Sequence, residues 1–369
     1  MPDQVTQITK TGYFKRIGDS IKGIVFGLVL FIASFAVLYM NEGRVDVSDI
    51  SVNALPASIE TDQQHVYLTD VVKTEEKLGD GMFLKNGDYL ALKRDTEVYA
   101  WAERSESTSD TSVGGSETTE TTYTYSKKWL SSAPDSASFQ IVDGHQNVPK
   151  SIDGSDSFVS TATIGGYGLN IRKLSLPGFI GVQLNAENVT LNGKGVIEGD
   201  YVFVGKGSYS DPAVGDMRVK YSALANNFNG TVFGKLNGQN IEPYVFEDAT
   251  VYRLFDGSRD EALAQMHTEY TTKGWIFRLV GFLMMWIGLS SLFAPISVLL
   301  DVLPVFGSLS RTVTGIITFL VSLVLSIVTI LVAMILHSII AIVVSVFVVF
   351  AVFAIILKMK GRKPNLVKV

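Results

Sequence analysis

The most regular feature of the sequence is a set of long apolar runs without charged residues. Charge is absent between Lys22 and Glu42, between Arg278 and Asp301, and between Arg311 and Lys358. A bilayer core needs roughly 20 apolar helical residues, and only helices or closed barrels satisfy the backbone inside it. Because the runs lack the alternating polarity of barrel strands, they predict membrane-crossing helices.

The last run is too long for one crossing. A helix over residues 312–357 would measure roughly 69 Å, so we expect a turn at His337, in the most polar part of the run. The pattern predicts four crossings, at residues 23–40, 275–294, 312–336 and 338–357. A cleaved signal peptide is the alternative for the first run, but bulky Tyr39 and Met40 stand where a cleavage site has small residues. We therefore interpret the first run as an anchor.

The long segment between the first two crossings, residues 41–274, has a different pattern. Residues 96–103 and 216–221 alternate between polar and apolar positions, as half-buried strands do, and Asn237-Gly238 is a strong hairpin signal. Residues 107–117, rich in Ser, Thr and Gly, predict a flexible hairpin loop. The fold class is therefore an α+β membrane protein, with four transmembrane helices (1 + 3) and a large, mostly β extracytoplasmic domain.

A short helix should join this domain to the second crossing. Ser258 and Glu261 have the spacing of a capping box, in which each side chain bonds the other residue's backbone N–H. The pattern predicts a juxtamembrane helix over residues 258–270.

Charge predicts the orientation. Four basic residues precede the first run and five follow the last, whereas residues 41–274 hold 20 basic and 33 acidic residues, a net charge of −13. Basic loops stay in the cytoplasm. We therefore expect residues 1–22, a loop at 295–311 and a basic tail at 358–369 on the cytoplasmic side, and residues 41–274 outside. The composition agrees, with 47% hydrophobic and 18% charged residues against about a quarter charged in soluble proteins.

Seven stretches, in order, resemble the LUMA family, also known as the transmembrane protein 43 family. The first is Asn41-Glu42-Gly43-Arg44, directly after the first crossing. The others are Glu97–Trp101, Tyr123–Trp129, Gly144–Asn147, Val214–Val219, Lys273–Trp275 and Leu303–Phe306. The resemblance runs from about residue 12 to residue 360.

The resemblance implies a membrane scaffold that self-associates and organises membrane protein complexes. In animals the family lies in the endoplasmic reticulum and the inner nuclear membrane, with lamin and emerin as partners, and it also has bacterial members. We expect an integral membrane protein of the bacterial inner membrane if the source is prokaryotic, and of the endoplasmic reticulum or inner nuclear membrane if it is eukaryotic. The short tails depart from the animal pattern. Expected partners are membrane lipid, further copies of the chain and other membrane proteins, not nucleic acid.

Two sets of polar residues are candidates for the family's signature or interface. Asn41, Glu42, Gly43 and Arg44 should form a hydrogen-bonded exit from the membrane, with Glu42 pairing locally or with Arg278. Gly215, Asp216 and Arg218 lie on or beside a predicted strand. Because Asp216 and Arg218 are two residues apart, they share one face, and we expect them to pair.

Further candidates lie in the crossings. Gly23 and Gly27 have the small-xxx-small spacing that lets helices approach closely, and Gly281 and Gly288 could line a packing face. Arg278 and His337 are polar groups at the membrane interface, where solvation and a functional contact are both open.

The sequence shows no catalytic pattern. It has no cysteine, which excludes disulfides and thiol chemistry, and it has neither a phosphate-binding glycine loop nor a serine elbow. We expect no enzyme activity, no cofactor and no metal. A channel or transporter subunit is the main alternative to a scaffold, and a sensor of membrane state is a further one. Histidines 65 and 145 are expected at the surface.

Overall fold

A computed structural model describes residues 3–337, with only the backbone described for residues 304–306. Its contacts divide the chain into two units. The sheet unit comprises residues 3–8, 46–108 and 120–269. The helical unit comprises residues 9–45, residues 109–119 and the chain from residue 270 onward.

The described residues form four α-helices. They are α1 (Tyr13–Glu42), α2 (Val47–Ser51), α3 (Arg259–Leu300) and α4 (Pro304–Leu336). Of these, α1, α3 and α4 are long and apolar enough to cross a membrane. The predicted first three crossings therefore lie in helices, whereas the predicted fourth crossing, 338–357, and the tail lie outside the described residues.

The second and third crossings have different ends from those predicted. The expected helices at 258–270 and 275–294 are one continuous helix, α3, which runs through Pro295 to Leu300. The expected loop at 295–311 shrinks to residues 301–303, because α4 begins at Pro304. Proline fits the first turn of a helix, where its missing N–H is not needed, and within α3 it is tolerated as in other membrane helices.

The strands are short except in one hairpin. They are β1 (Gln4–Thr11), β2 (Leu55–Pro56), β3 (His65–Lys73), β4 (Tyr89–Thr111), β5 (Glu117–Leu130), β6 (Ser155–Phe158), β7 (Ala162–Ile164), β8 (Tyr167–Leu169), β9 (Ile180–Gly181), β10 (Val196–Glu198), β11 (Tyr201–Val204), β12 (Met217–Ala225), β13 (Phe228–Asn237), β14 (Asn240–Glu242), β15 (Tyr244–Phe246), β16 (Ala249–Val251) and β17 (Arg253–Asp256).

An eight-stranded sheet contains the longest strands. Its order is β1-β5-β4-β12-β11-β10, with β6 pairing β4 and β9 pairing β12. The predicted alternation is present, since Val98, Val202 and Val219 are fully buried on one face while their neighbours point away from that core.

The Ser/Thr-rich segment at 107–117 is mostly strand rather than the expected flexible loop. β4 continues to Thr111 and β5 begins at Glu117. Across the hairpin, the hydroxyls of Ser107 and Thr121 lie 2.8 Å apart, as do those of Ser109 and Thr119. Cross-strand hydroxyl pairs stabilise a sheet, so the composition that indicated a loop here supports a long hairpin.

A seven-stranded sheet closes on itself. β3 pairs in turn with β7, β7 with β8, β8 with β14, β14 with β13, and β13 with β3 again. The predicted Asn237-Gly238 turn joins β13 to β14. Closure leaves no free edges among these strands, and Val72, Ile164 and Val232 fill the core they enclose.

The start of α3 is fixed to the sheet unit. The predicted capping box is present, since the backbone N–H of Ser258 donates to Glu261 Oε2 at 2.8 Å. One face of the first turns is buried, with Ala262 and Met266 packing beside Phe233 and Phe255. The first turns of α3 therefore belong to the hydrophobic core of the sheet unit.

The N-terminal residues pair with the β domain. The N–H of Tyr125 in β5 donates to Asp3 O at 2.8 Å, and the hydroxyls of Thr6 and Thr122 are 3.3 Å apart. The predicted topology, in which a bilayer separates residues 1–22 from residues 41–274, is not confirmed, because strand pairing requires residues 3–8 and β5 to be in contact.

A disulfide test distinguishes these arrangements. With Thr6→Cys and Thr122→Cys in one chain, we expect a crosslink under mild oxidation in native membranes, because paired hydroxyls at 3.3 Å place the β-carbons within the reach of a disulfide. The chain has no other cysteine, so non-reducing electrophoresis with protease mapping reports this bond alone. The control combines Thr6→Cys with Lys194→Cys, in a turn of the same unit. If both pairs fail to crosslink while the chain is folded, the β1–β5 pairing is wrong.

Candidate functional site

The end of α1 is tied to α3 by an ion pair. Arg278 donates from Nε to Glu42 Oε1 at 2.8 Å and from Nη2 to Oε2 at 2.7 Å. Asn41 Nδ2 donates to Glu42 Oε1 at 2.9 Å and to Gly274 O at 3.3 Å. Two-point arginine–carboxylate pairs are strong and directional. The predicted pairing of Glu42 with Arg278 is therefore present, and Asn41 bonds the same carboxylate locally.

The remaining residues of this signature contact α3 and the residue that follows α4. Arg44 donates from Nη2 to Tyr270 O at 3.1 Å, and its guanidinium lies 4.7 Å from the Tyr270 ring centroid. A side chain at Gly43 would come within 2.5 Å of His337 Nε2. His337, the residue after α4, also packs against Tyr39 with ring centroids 4.4 Å apart. Residues 41–44 therefore join the end of α1 to the interior of α3 and to the residue that follows α4.

A second ionic cluster lies at the opposite end of α1. Asp301 is fully buried and accepts bonds from Arg16 at 2.6 Å and from Arg311 at 2.7 Å. Arg16 also contacts Glu117 at 3.1 Å and donates to Gly115 O at 2.6 Å. We call Asp301, Arg16, Arg311 and Glu117 the Asp301 cluster, and residues 109–119, between the outer parts of β4 and β5, the hairpin tip. The cluster joins α1, the α3–α4 turn, α4 and the hairpin tip.

The hairpin tip itself is fitted to this cluster. The N–H of Gly114 donates to Val302 O at 2.9 Å, and Gly115 has a φ of 79°, which favours glycine. A side chain at Gly115 would collide with the ring of Tyr13. Asp301 and Arg311 lie in the predicted loop at 295–311, and the sequence pattern did not indicate that they form a buried cluster. The only local signal was the isolated acid between two long apolar runs.

Close packing of α1 and α3 depends on glycines. An added Cβ at Gly27 would lie 2.6 Å from Ser291 Cβ and 2.8 Å from Gly288 O, and one at Gly281 would lie 2.5 Å from Leu38. At Gly23 it would meet no described atom within 4 Å. The predicted Gly281/Gly288 face is therefore real, and Gly27 packs within the chain instead of lying free for a seam between copies.

Small hydroxyl residues form the buried side of α4. Thr318, Ser322 and Ser326 have 1%, 0% and 3% exposure and recur at a spacing that places them on one helix face. Thr318 bonds the hydroxyl of Ser290 on α3 at 2.8 Å, and Trp286 Nε1 donates to Gly315 O at 3.1 Å. Small and hydroxyl side chains are typical of packing between membrane helices.

In the sheet unit, Asp216 and Arg218 are not paired with each other, contrary to the prediction. Asp216 is buried and accepts the backbone N–H groups of Lys206, Gly207 and Ala213 at 2.7–3.0 Å. Arg218 donates from Nε to Glu97 Oε2 at 2.6 Å. Because Asp216 precedes β12 and its carboxylate fills a loop, the assumption that both residues lie on one regular strand was wrong. Gly215, beside it, has a φ of 95° and lies against Val148.

Arg218 is the centre of a partly exposed aromatic surface. Its guanidinium lies 4.7 Å from the Trp129 ring and 4.5 Å from the Tyr201 ring. Tyr99 packs against Trp129 at 5.2 Å, and Tyr209 lies 6.0 Å from Tyr201. We call Tyr99, Trp129, Tyr201, Tyr209 and Arg218 the aromatic face. It brings together three of the stretches that carry the family resemblance.

A fourth such stretch supports the neighbouring strands. His145, expected at the surface, is 1% exposed and lies between Tyr125 and Trp101, with centroids 4.0 and 4.7 Å away. Asn147 accepts from Trp101 N at 2.7 Å and donates to Trp101 O at 3.0 Å. The segment after β5 is therefore fixed against β4, and these residues serve the fold.

A buried carboxylate also organises the other side of this sheet. Asp80 accepts from Tyr221 at 2.5 Å, from Arg94 at 2.8 Å and from the N–H groups of residues 82–84. Burial alone would raise the pKa of Asp80, but these hydrogen bonds outweigh it and lower the pKa. Burial and the Asp80 carboxylate together raise the pKa of Tyr221. The group is a stable structural ion pair at neutral pH.

Among residues 3–337, no cluster of three or more metal-ligating side chains occurs. The expectation that the chain holds no cofactor or metal stays a prediction.

Comparison with known proteins identifies the relatives of this chain. The family described as "Transmembrane protein 43" matches residues 98–339. Transmembrane protein 43 from Rattus norvegicus is 26% identical over 341 residues, covering 83% of this chain and 82% of the relative. The Homo sapiens protein has the same identity and coverage, and a homolog from Drosophila melanogaster is 27% identical over 72% of this chain and 75% of its own length. No solved structure matches.

The close packing of α1 against α3 at Gly27 predicts that two glycine substitutions in α1 differ in their effect on stability. Gly27→Leu should destabilise the helical unit by about 1–3 kcal/mol, because an added Cβ has no space and overpacking forces strain. Gly23→Leu should change stability by less than about 0.5 kcal/mol, because an added Cβ there meets no described atom within 4 Å. Thermal unfolding in detergent, followed by tryptophan fluorescence, measures both. Equal stability of the two variants would contradict the α1–α3 crossing.

The partly buried ring of His65 should make the stability of the folded protein sensitive to acid. Its ring stacks on Tyr244 at 4.2 Å, its Nε2 is buried without a partner, and burial lowers the pKa of His65 to about 4. Unfolding restores a pKa near 6.5, so the unfolded state binds more protons and stability falls as the pH decreases from about 6.5 toward 4. In His65→Phe, which keeps the stacking, the melting temperature should fall less over this range than in the wild type. Parallel acid profiles would show that His65 does not titrate on unfolding.

Proposed function

This chain belongs to the transmembrane protein 43 family, and we propose that it is a non-enzymatic membrane scaffold that self-associates and holds other membrane proteins. The main support for this proposal is the aromatic face of the sheet unit. Tyr, Trp and Arg are the residue types that dominate the binding energy of protein interfaces, and here five of them lie together, partly exposed, on one sheet surface.

The first partner we propose for the aromatic face is a second copy of the chain. A two-fold interface must be complementary to itself, so it needs both partners of each contact on one surface. The aromatic face has this property, because cationic Arg218 lies beside anionic Glu97, at 2.6 Å, and between aromatic rings that can accept a cation. Two copies could exchange these contacts without introducing an unpaired charge.

The helical unit supports packing rather than transport. A channel or transporter needs polar residues along a path through the bilayer. In the part of the chain that the structure describes, the charged side chains of the helical unit lie outside the long uncharged runs, as in the Glu42–Arg278 pair and the Asp301 cluster. Of the buried hydroxyls on α4, that of Thr318 bonds Ser290 and the backbone, and that of Ser326 donates to Met285 Sδ. The hydroxyl of Ser322 has no partner among the described residues. These features favour a scaffold over the channel alternative.

Self-association and conduction can be measured on the same reconstituted protein. Chains labelled at an introduced Lys194→Cys with donor or acceptor dye should show energy transfer in liposomes that persists as the lipid-to-protein ratio rises. Tyr201→Ala should weaken the association, because it removes an aromatic contact of Arg218. Phe246→Ala is the matched control, since Phe246 is an exposed aromatic residue on β15, in a separate two-stranded sheet.

Two outcomes would overturn the proposal. The first is energy transfer no greater than that of randomly mixed monomers at every dilution. The second is ion or solute flux from the same liposomes, which would promote the channel alternative. A loss of energy transfer in Phe246→Ala equal to that in Tyr201→Ala would exclude the aromatic face as the interface.

A further inference from the structure

A cavity of about 630 Å³ lies inside the helical unit. Its walls come from α3, from α4 and from the hairpin tip through Ser109, Thr111 and Glu117. This size falls within the range of small-molecule pockets, roughly 300–1,000 Å³. Neither the ionic clusters nor the aromatic face accounts for it.

The cavity is polar at one end and apolar along its length. Arg16 and Arg311 lie at the polar end, beside the Asp301 cluster. From there the wall follows α3 from Val298 back to Trp286, a rise of roughly 18 Å. The hydroxyls along this wall are occupied, since Ser290 bonds Thr318 and Ser291 donates to Ile287 O, both at 2.8 Å. A wall whose hydrogen-bonding groups are satisfied suits a hydrocarbon chain.

Arg311 leaves one edge of its guanidinium available. Its Nη1 donates to both oxygens of Asp301, while Nε and Nη2 have no bond to another described residue. The side chain is 45% exposed, whereas that of Arg16 is 8% exposed. A planar guanidinium edge matches phosphate oxygens, and basic pockets between membrane helices commonly bind lipid headgroups.

We propose that this cavity binds a membrane phospholipid, with its phosphate at the free edge of Arg311 and one acyl chain along α3 toward Trp286. The local charge balance explains why binding needs the acyl chain of the lipid as well as its phosphate. Asp301 and Glu117 balance Arg16 and Arg311, so a phosphate alone gains little from the field of the cluster. This site is independent of the scaffold proposal, because it needs no second copy and no part of the aromatic face.

The test uses the full chain, purified in mild detergent, and native mass spectrometry to count the phospholipid molecules that stay bound. Ala294→Phe narrows the cavity without touching the ionic cluster, and Arg311→Gln removes the phosphate ligand. Each should reduce retention about tenfold, as the loss of one charge-assisted bond or of the space for a chain would. The matched controls are Ile296→Phe, on an exposed position of the same helix, and Lys15→Gln, an exposed cation at the same end.

Competition separates a lipid site from a simple anion site. A long-chain alkyl phosphate should displace the retained lipid, and inorganic phosphate at the same concentration should not. Retention by Ala294→Phe equal to that of Ile296→Phe would overturn the proposal, and so would displacement by inorganic phosphate alone. Arg311→Gln could fail to fold because it disturbs Asp301, but Ala294→Phe keeps the test valid.

Discussion

The helical unit depends on the burial of one carboxylate. Asp301 has no exposed surface, and a buried unpaired charge would cost several kcal/mol. Two guanidiniums compensate for it, one from the start of α1 and one from α4. Removing either partner of such a group typically costs about 3–5 kcal/mol, so the three helices must keep these ends together. Gly307 adds a steric condition, because a side chain there would occupy the space of the carboxylate.

The sheet unit also contains two buried carboxylates whose charge is compensated by hydrogen bonds. Asp80 and Asp216 are buried carboxylates, and each accepts several hydrogen bonds, mainly from backbone N–H groups of adjacent loops. Each carboxylate holds its loop in one conformation through these bonds, and at Asp80 the bonds also lower the pKa of the carboxyl group. Asp216 in this way fixes the loop at 206–213. This loop carries Tyr209, so Asp216 supports one side of the aromatic face. The chain contains no cysteine, and these carboxylates provide links that disulfides provide elsewhere.

Local patterns predicted the apolar parts of the three long helices that the structure describes, the capping box, the hairpin at Asn237-Gly238 and the family. These features depend on neighbouring residues, such as the long uncharged runs and the spacing of Ser258 and Glu261. The contacts that are long-range in sequence were missed. Nothing near Asp301 indicates that Arg16 lies beside it, 285 positions away, and the pairing of Thr6 with Thr122 has no local signal. The predicted pairing of Asp216 with Arg218 was wrong because alternation places both side chains on one face only within a regular strand. Asp216 precedes β12, which begins at Met217.

The use of small residues within the helical unit restricts how copies could assemble. Gly27, Gly281 and Gly288 are already in contact with neighbouring helices of the same chain, and Thr318, Ser322 and Ser326 are buried. Association in lipid relies on small residues for close approach, since there is no hydrophobic force between helices there. Large side chains such as Phe26, Val29 and Ile32 remain exposed on α1, and they suit contact with lipid chains. The described helices therefore use their small residues for packing within the chain, and large apolar side chains remain on their outer faces.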